Sequence, residues 1–380
     1  MIYLDSAATT LQKPASVLHA VNTAMHRASS PGRGGHPWGM EANKIVFRCR
    51  EAAAKFFHVP EPEQVVFTGN ATHALNLAIR SLARPGCTAL ISGYEHNAVS
   101  RTLNAVPELK CRAALSRPFD SDGILESFRL ELERGVDLVV CTHISNVFGF
   151  ILPLEEIARL CRRYHTPLIV DASQSAGCVP IDFTELGAEF IAMPGHKGLY
   201  GPQGTGILLC SGKTNPLLFG GTGSLSAQQT MPDFLPDRLE AGTPNVPGIA
   251  GLMAGIRFVS ETGVGRIAAH ERKLIRLLGK HLERIPDTKV FLAEDAGRQS
   301  GVLSVVFRGN DCEEVGEWLG NHGIGVRAGL HCAPIAHQTA GTLHSGTVRF
   351  SVSAFNTESE ICAAARLVGQ FCRSKSKNKT

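Results

Sequence analysis

The sequence lacks the cysteine, hydrophobic and leader patterns of secreted or membrane-spanning proteins. Its eleven cysteines are an odd number with no Cys-x-x-Cys pair. We therefore expect no disulfide framework, and most thiols should be buried side chains in a reducing compartment. No apolar run is long enough to cross a bilayer, and the N-terminus has no basic segment followed by an apolar one. These absences predict a cytoplasmic protein that binds no membrane.

The sequence also lacks a strong excess of charge of one sign. Its 38 basic and 34 acidic side chains leave a net charge of +4, which is too even a balance for a nucleic-acid-binding surface. A hydrophobic fraction of 43% and a charged fraction of 19% indicate a globular protein. Its length of 380 residues is enough for about two or three domains.

Short apolar runs alternate with helix-length segments over residues 14–247, which we predict to be a large domain. This alternation predicts a mostly parallel sheet with helices on both faces, the α/β class. Ligands of such sheets bind beyond the carboxyl ends of the strands. The predicted strands are 64–67, 88–91, 138–141, 167–170, 190–192 and 206–209, with a helix at 153–164.

The remaining residues, 1–13 and 248–380, are predicted to form a smaller α+β domain that carries the loop around Cys332. A stretch rich in Pro and Gly, residues 242–248, is the expected junction. The predicted elements are helices up to residue 282, strands at 302–307 and 346–352, and helices at 313–321 and 358–371.

Lys197 and Asp171 follow two of the predicted strands. Lys197 lies between Gly195 and Gly198, and a lysine amine in a dry site has a lowered pKa and forms a Schiff base with an aldehyde. Pyridoxal phosphate also needs a carboxylate against its pyridine nitrogen. Taken singly, Lys197 suits a surface turn and Asp171 suits a helix cap. Together they predict a pyridoxal-phosphate site.

Two other strand ends carry polar residues that suit the same cofactor. Ala71 and Thr72 lie in a turn of small residues between a strand and a helix, where backbone N–H groups and a hydroxyl bind a phosphate. An ordinary helix cap explains this turn equally well. His96 follows another strand and would stack on a planar ring, although an ordinary loop histidine is the alternative.

Cys332 lies between His331 and small residues in a glycine-flanked loop, 327–334. A base or a positive charge nearby would favour its thiolate, the nucleophilic form. A metal site is the alternative, but the spacing matches no standard zinc pattern, so we predict no metal. That alternative would use His331, Cys332, His337 and His344.

Arg349 alternates with apolar residues in a predicted strand. It is either a surface charge or a side chain that faces a cleft and binds a carboxylate with two hydrogen bonds. The strand pattern alone leaves both alternatives open.

These motifs, in this order, resemble the fold-type I pyridoxal-phosphate enzymes of the class V aminotransferase family. Within it they are most similar to the group II cysteine desulfurases and the related selenocysteine lyases. The resemblance runs nearly from end to end. It is carried by residues 3–10, 71–72, 95–96, 142–149, 171–174, 195–197, 240–245 and 327–333.

The resemblance implies a role for each matching residue. Lys197 would hold pyridoxal 5′-phosphate and move the Cα proton of the substrate, Asp171 would pair with the pyridine nitrogen, and Cys332 would be the nucleophile. His96 would stack on the ring, and Gln174 and Asn146 would contact the ring oxygen or the substrate. The phosphate would be held by Ala71, Thr72 and His196, and by Thr243 from the other subunit of a homodimer. Arg349 would bind the substrate carboxylate, and His36 would lie at the entrance.

The implied reaction converts L-cysteine to L-alanine, leaves a persulfide on Cys332 and passes its sulfur to an acceptor protein or a small thiol. One alternative is a lyase for L-selenocysteine, or another lyase or aminotransferase of the family. A non-catalytic sulfur carrier or metal-binding protein is an alternative of a different class.

Three residues depart from the family pattern. Pro194 stands where the family usually has Ser or Thr, Ala71 stands where it often has Thr, and Leu330 replaces a commonly polar residue. The first two changes remove hydroxyl groups from the expected phosphate site, so phosphate binding must depend on the remaining donors.

Overall fold

A computed structural model describes residues 1–32 and 34–377 of the chain. The helices are α1 (Ala15–Arg27), α2 (Pro37–Phe57), α3 (Ala71–Leu82), α4 (Asn97–Asn104), α5 (Ser121–Glu133), α6 (Leu154–Arg163), α7 (Phe183–Leu186), α8 (Val246–Thr262), α9 (Val264–Leu282), α10 (Cys312–Asn321), α11 (Pro334–Ala340) and α12 (Glu358–Lys377). The strands are β1 (Ile2–Tyr3), β2 (Val65–Thr68), β3 (Thr88–Ser92), β4 (Lys110–Ala114), β5 (Leu138–Thr142), β6 (Leu168–Asp171), β7 (Phe190–Pro194), β8 (Gly206–Cys210), β9 (Thr288–Val290), β10 (Val302–Phe307), β11 (Ile324–Gly325), β12 (Arg327–Gly329) and β13 (Thr347–Ser351).

A seven-stranded sheet in the order β2-β8-β7-β6-β5-β3-β4 forms the centre of the fold. β8 runs antiparallel to both of its neighbours, and the other pairings are parallel. The predicted α/β class with a mostly parallel sheet is therefore confirmed, and each of the strands predicted before residue 248 is confirmed to within two residues.

The strands of this sheet are apolar on both faces because helices cover both faces. In β5, Val139 and Cys141 point into one core, and Leu138 and Val140 point into the other. The first core also takes residues from α2, α5 and α6, and the second takes residues from α3 and α4. The carboxyl ends of the parallel strands are left uncovered at one edge, where a ligand can bind.

A second, antiparallel sheet has the order β12-β13-β10-β9. Its core includes residues of α9, α10 and α12, and Leu4 from the N-terminal segment. Phe291, Ala333 and Ala336 instead pack into the first core of the large sheet, and α8 packs against α1 and α2. The two sheets are thus joined by shared packing, and the division of the chain at residues 247/248 stays a prediction.

The sequence pattern did not reveal β4, the edge strand of the large sheet. Its residues Lys110–Ala114 are mostly exposed or partly exposed, so they lack the apolar character that identifies a buried strand. The pattern also missed the two- and three-residue strands β1, β9, β11 and β12, because such short strands carry too few residues for a period. Within the described ranges, no helix is both long and apolar enough to cross a membrane.

Gly177 supports the turn beside Lys197. Its φ is +85°, and a Cβ at this position would lie 2.1 Å from the carbonyl oxygen of Gly198. A side chain here would therefore strain the backbone and displace the residue next to Lys197.

We predict that Gly177→Ala lowers the free energy of unfolding by about 3 kcal/mol or more, since it combines an unfavourable φ with a backbone clash. Gly135 is a matched control, because its φ is +78° and its Cβ would meet nothing within 4 Å. Gly135→Ala should cost only about 1 kcal/mol. Urea unfolding of both variants measures the difference, and equal losses would contradict the clash.

Candidate active site

A cavity of 120 Å³ opens at the carboxyl ends of the parallel strands. The segments that follow β2, β3, β5, β6 and β7 all reach it, because parallel strands end at the same edge of their sheet. The structure brings eight of the nine predicted cofactor-binding residues to its wall: Ala71, Thr72, His96, Asn146, Asp171, Gln174, His196 and Lys197.

Lys197 lies in the turn that follows β7. Burial, together with the nearby positive charge of Arg349, lowers the pKa of its amine to about 8, although the Asp171 carboxylate opposes the shift. An amine with this pKa has an appreciable neutral fraction near neutral pH. It is therefore a nucleophile and a base rather than a fixed cation.

Asp171 is the last residue of β6 and is 3% exposed. Its Oδ1 accepts a hydrogen bond from the backbone N–H of Ser173 at 2.9 Å. This bond fixes the carboxylate on the wall of the cavity that Lys197 also lines.

His96 is the N-cap of α4, and its Nδ1 accepts a hydrogen bond from the backbone N–H of Ala98 at 3.0 Å. Burial lowers the pKa of the imidazole, so the ring is neutral. The cap fixes the orientation of a neutral aromatic ring at the cavity wall, which suits the predicted stacking.

Glu95 supports His96 and received no role in the sequence analysis. The side chain is fully buried, and burial raises its pKa to about 8. Its Oε1 accepts bonds from the Ser92 hydroxyl and from the backbone N–H of Thr142, which ties the loop after β3 to the end of β5. Glu95 lies three residues after the end of β3, and its place in that loop was the only signal in the sequence.

The N-terminus of α3 forms the end of the cavity predicted to bind phosphate. The side chain of Asn70 caps the helix by accepting a bond from the N–H of His73 at 2.9 Å. The first amides of the helix, those of Ala71 and Thr72, are left to bind an anion. The imidazole of His196 lines the same cavity.

Cys332 is exposed, and two hydrogen bonds tie its loop to Asn146 of the cavity wall and to Asn97, the residue after His96. The N–H of Asn97, next to His96, donates to the carbonyl oxygen of Cys332 at 2.7 Å. The amide of Asn146 donates to the carbonyl oxygen of His331 at 2.8 Å. Both His331 and Cys332 have a positive φ, of 51° and 55°, so a strained turn presents the thiol at the surface.

His331 does not activate Cys332 as a cation. Burial holds its pKa far below the ordinary value, and its Nε2 contacts the carbonyl and hydroxyl oxygens of Thr347. His337 is buried beside it, with ring centroids 5.6 Å apart. In the parts of the chain that the structure describes, no three His, Cys, Asp or Glu side chains are arranged to hold a metal ion.

Arg349 is 2% exposed, so it is not a surface charge. One guanidinium nitrogen donates to Asp5 at 2.7 Å and another to the carbonyl oxygen of Asn146 at 3.0 Å. Its Nε has no hydrogen-bond partner among the described residues. The guanidinium therefore reaches the backbone of a cavity-wall residue, and the binding of a substrate carboxylate stays a prediction.

Four predicted site residues do not line the Lys197 cavity of their own chain: Cys332, Arg349, Thr243 and His36. The Cys332 loop and Arg349 are bonded to Asn146 of the cavity wall, whereas Thr243 and His36 lie elsewhere. Thr243 lines surface cavities with the segments around residues 69 and 221–224. His36 is exposed and caps α2 by accepting a bond from the N–H of Gly39 at 3.1 Å. Their predicted roles stay predictions.

Comparison with known proteins places this geometry in a family. The model of the family described as Aminotransferase class-V matches residues 2–363. The chain belongs to the class-V aminotransferase family. A probable cysteine desulfurase of Methanothermobacter thermautotrophicus is 33% identical over 377 residues, which cover 95% of this chain and 92% of the relative. A probable cysteine desulfurase of Mycolicibacterium paratuberculosis is 34% identical over 97% of this chain, which spans only 55% of that relative.

Solved structures agree with this assignment. The apo structure of a cysteine desulfurase from Thermococcus onnurineus superposes with a TM-score of 0.90 at 29% identity, over 98% of this chain and 95% of that one. A cysteine desulfurase from Escherichia coli, in an S-sulfonic acid form, gives a TM-score of 0.82 at 26% identity, over 97% and 94% of the two chains. The predicted family, its fold and the likeness to cysteine desulfurases are confirmed.

The cavity of this class-V chain fits pyridoxal 5′-phosphate, the cofactor that the family uses. Lys197 supplies an amine of lowered pKa for the aldehyde, and Asp171 supplies a buried carboxylate for the pyridine nitrogen. The amides at the start of α3 supply donors for the phosphate. The cofactor predicted from Lys197 and Asp171 is therefore confirmed.

We predict that charge removal near Lys197 changes its pKa in opposite directions in the cofactor-free protein. Arg349→Met removes a positive charge that lowers this pKa, so the pKa should rise above about 8. Asp171→Asn removes a negative charge that raises it, so the pKa should fall. The pH dependence of competitive acylation of Lys197, read by peptide mass spectrometry, measures both shifts.

The control for these two variants is Arg129→Met, which removes an exposed charge on α5. It should leave the pKa of Lys197 unchanged. Shifts of the same sign in the two site variants would show that structural loosening, rather than the local charges, controls the amine.

Proposed function

We propose that this chain is a cysteine desulfurase that converts L-cysteine to L-alanine and leaves the released sulfur as a persulfide on Cys332. The observation that carries the proposal is the pair of bonds that hold the Cys332 loop, from the N–H of Asn97 and the amide of Asn146. Both donors belong to the wall of the Lys197 cavity or adjoin it. A nucleophilic thiol is thereby tied to the lysine site.

Binding of the amino-acid substrate depends on Arg349 and Asn146. The substrate carboxylate would exchange with Asp5 on the guanidinium, or bond the Nε that has no partner among the described residues. The Asn146 carbonyl already holds the same guanidinium at 3.0 Å. A substrate held there would lie between Lys197 and the Cys332 loop, because Asn146 contacts both the guanidinium and the loop.

Lys197 moves the protons. With a pKa of about 8, its neutral amine takes the Cα proton and its ammonium returns a proton to carbon. When bound, pyridoxal 5′-phosphate supplies an electron sink for the electron pair released at the substrate carbon. Asp171 would hold the pyridine nitrogen, and His96 would stack on the ring.

Cys332 would take the sulfur as a thiolate nucleophile. An S–S bond forms between its Sγ and the substrate sulfur, and the substrate Cβ–S bond breaks. The electron pair of that bond stays with Cβ, which takes up a proton. L-Cysteine and the Cys332 thiol thus give L-alanine and a Cys332 persulfide, so atoms and electrons balance with no added oxidant. Because Cys332 is exposed, an acceptor protein or a small thiol can then attack the outer sulfur.

We predict that Cys332→Ala retains the cofactor spectrum but forms alanine from L-cysteine at least about 100-fold more slowly, since the sulfur has no nucleophile to accept it. Alanine formation with a reducing thiol present is the measurement, together with persulfide detection by mass spectrometry of the intact chain. Cys111→Ala removes another exposed thiol and should behave as wild type.

Three outcomes would change or narrow the proposal. Full alanine formation by Cys332→Ala would remove Cys332 from the reaction. If that variant still acts fully on L-selenocysteine while it loses activity on L-cysteine, the thiol is needed for sulfur alone. A wild-type protein that acts only on L-selenocysteine would favour the selenocysteine lyase alternative.

We further propose that the protein acts as a homodimer in which Thr243 reaches the phosphate of the partner subunit. Thr243 borders a 580 Å³ surface cavity together with α2 and residues 221–224. Large apolar side chains are exposed on or beside these segments: Trp38 in α2 is 60% exposed, and Phe219, two residues before Gly221, is 77% exposed. An exposed apolar surface of this kind is typical of a protein interface.

We predict that a mixed dimer of one Lys197→Ala chain and one Thr243→Val chain keeps about half of the wild-type activity. Its single intact Lys197 site would receive Thr243 from the Lys197→Ala subunit. Differently tagged chains, co-expressed and purified through both tags, provide the sample. Activity as low as that of the Thr243→Val homodimer would place Thr243 in its own chain's site, and a monomer in sedimentation would exclude the proposal.

A further inference from the structure

Four hydrogen-bond donors lie within 3.3 Å of the backbone carbonyl oxygen of His196. The backbone N–H of Thr10 lies 3.2 Å from it, and the hydroxyl of Thr10 lies 3.0 Å from it. Lys13 Nζ approaches to 3.0 Å and the Thr9 hydroxyl to 3.3 Å. A carbonyl oxygen has two lone pairs, so these four donors cannot all be satisfied there.

The other contacts show how this competition is resolved. Lys13 Nζ donates to the Thr10 hydroxyl oxygen at 2.6 Å, and the Thr10 hydroxyl has a second acceptor, the carbonyl oxygen of Lys197, at 3.3 Å. The N–H of Thr10 and the ammonium of Lys13 then fill the His196 carbonyl. The Thr9 hydroxyl, the most distant of the four donors, is left with its better acceptor, His196 Nδ1, at 3.0 Å.

A hydroxyl that donates to Nδ1 determines which nitrogen of a neutral imidazole carries the proton. Burial and the nearby charges of Lys197 and Lys13 lower the pKa of His196 to about 4, so the ring is neutral at pH 7. A neutral ring has one N–H donor. With Nδ1 as acceptor, that donor is Nε2, for which the described residues offer no hydrogen-bond partner.

The phosphate end of the cavity needs such a donor. Pro194 has no hydroxyl and no backbone N–H, and Ala71 has no hydroxyl. The amides at the start of α3 and the Thr72 hydroxyl remain, and His196 lines the same cavity. The opposite tautomer would turn a lone pair, rather than an N–H, towards the phosphate.

We propose that the Thr9 hydroxyl is a positioning group that holds His196 in the tautomer protonated on Nε2, so that a neutral imidazole donates a hydrogen bond to the cofactor phosphate. The proposal rests on the phosphate placement described above and extends it to the N-terminal segment. Thr9 does not line the cavity, so it would act through His196.

The first experiment measures the tautomer itself in the cofactor-free protein. Long-range ¹H–¹⁵N spectra of histidine-labelled protein separate the two neutral tautomers, and His196→Asn assigns the His196 signal by its absence. We expect a neutral ring with the proton on Nε2 in the wild type. A proton on Nδ1, or a charged ring at pH 7, would overturn the proposal whatever the activity of the enzyme.

The second experiment isolates the phosphate contact. Thr9→Val keeps the shape but removes the hydroxyl, and Thr9→Ser restores it. Because one charge-assisted donor is weakened, Thr9→Val should bind pyridoxal 5′-phosphate roughly 3- to 10-fold more weakly than wild type. Pyridoxal, which lacks the phosphate, should bind both proteins equally, and Thr9→Ser should recover the wild-type affinity.

Each outcome of the second experiment decides the proposal. An unchanged affinity of Thr9→Val for pyridoxal 5′-phosphate would overturn it. Equal weakening for pyridoxal would show a general structural role for Thr9 and would also overturn it. The proposed desulfurase reaction is tested separately by alanine formation, so the failure of one proposal does not imply the failure of the other.

Discussion

The buried ion pair between Arg349 and Asp5 joins the parts of the molecule that the site requires. Arg349 lies on β13 of the second sheet, and Asp5 lies in the N-terminal segment, 2.7 Å away. The same guanidinium holds the carbonyl oxygen of Asn146 on the cavity wall. Loss of Asp5 would leave the Arg349 charge buried and unpaired, which costs about 3–5 kcal/mol in comparable pairs. The N-terminal segment, the second sheet and the cavity therefore hold their relative positions together.

This arrangement explains how two sheets make one site. The large sheet supplies Lys197, Asp171 and His96 from the carboxyl ends of its strands, where the topology must bring them together. The second sheet supplies Arg349 and the Cys332 loop from β12 and β13. Hydrogen bonds from Asn97 and Asn146 then fix the loop against the first set.

The sequence alone predicted the large sheet, most of its strand bounds and the residues at its ligand-binding edge. The fold could be predicted because its buried strands are apolar runs. Lys197 and Asp171 could be predicted because each is a polar residue at or just after the end of such a run. The supporting residues carry no such pattern. Glu95 resembles any loop carboxylate, and Thr9 and Lys13 resemble surface residues, until the structure shows that they bond groups more than forty residues away. Long-range hydrogen bonds leave no period in a sequence.

Burial shifts several ionisable groups of this site towards their neutral forms, and the chemistry of the site depends on those forms. It lowers the pKa of Lys197, His96 and His196 and raises that of Glu95. A neutral amine can attack an aldehyde, whereas an ammonium cannot. A neutral imidazole has both a donor and an acceptor, so its function depends on which nitrogen is protonated. Neighbouring hydroxyls and backbone amides that look purely structural must therefore control the chemistry, because in a dry site they decide where each proton lies.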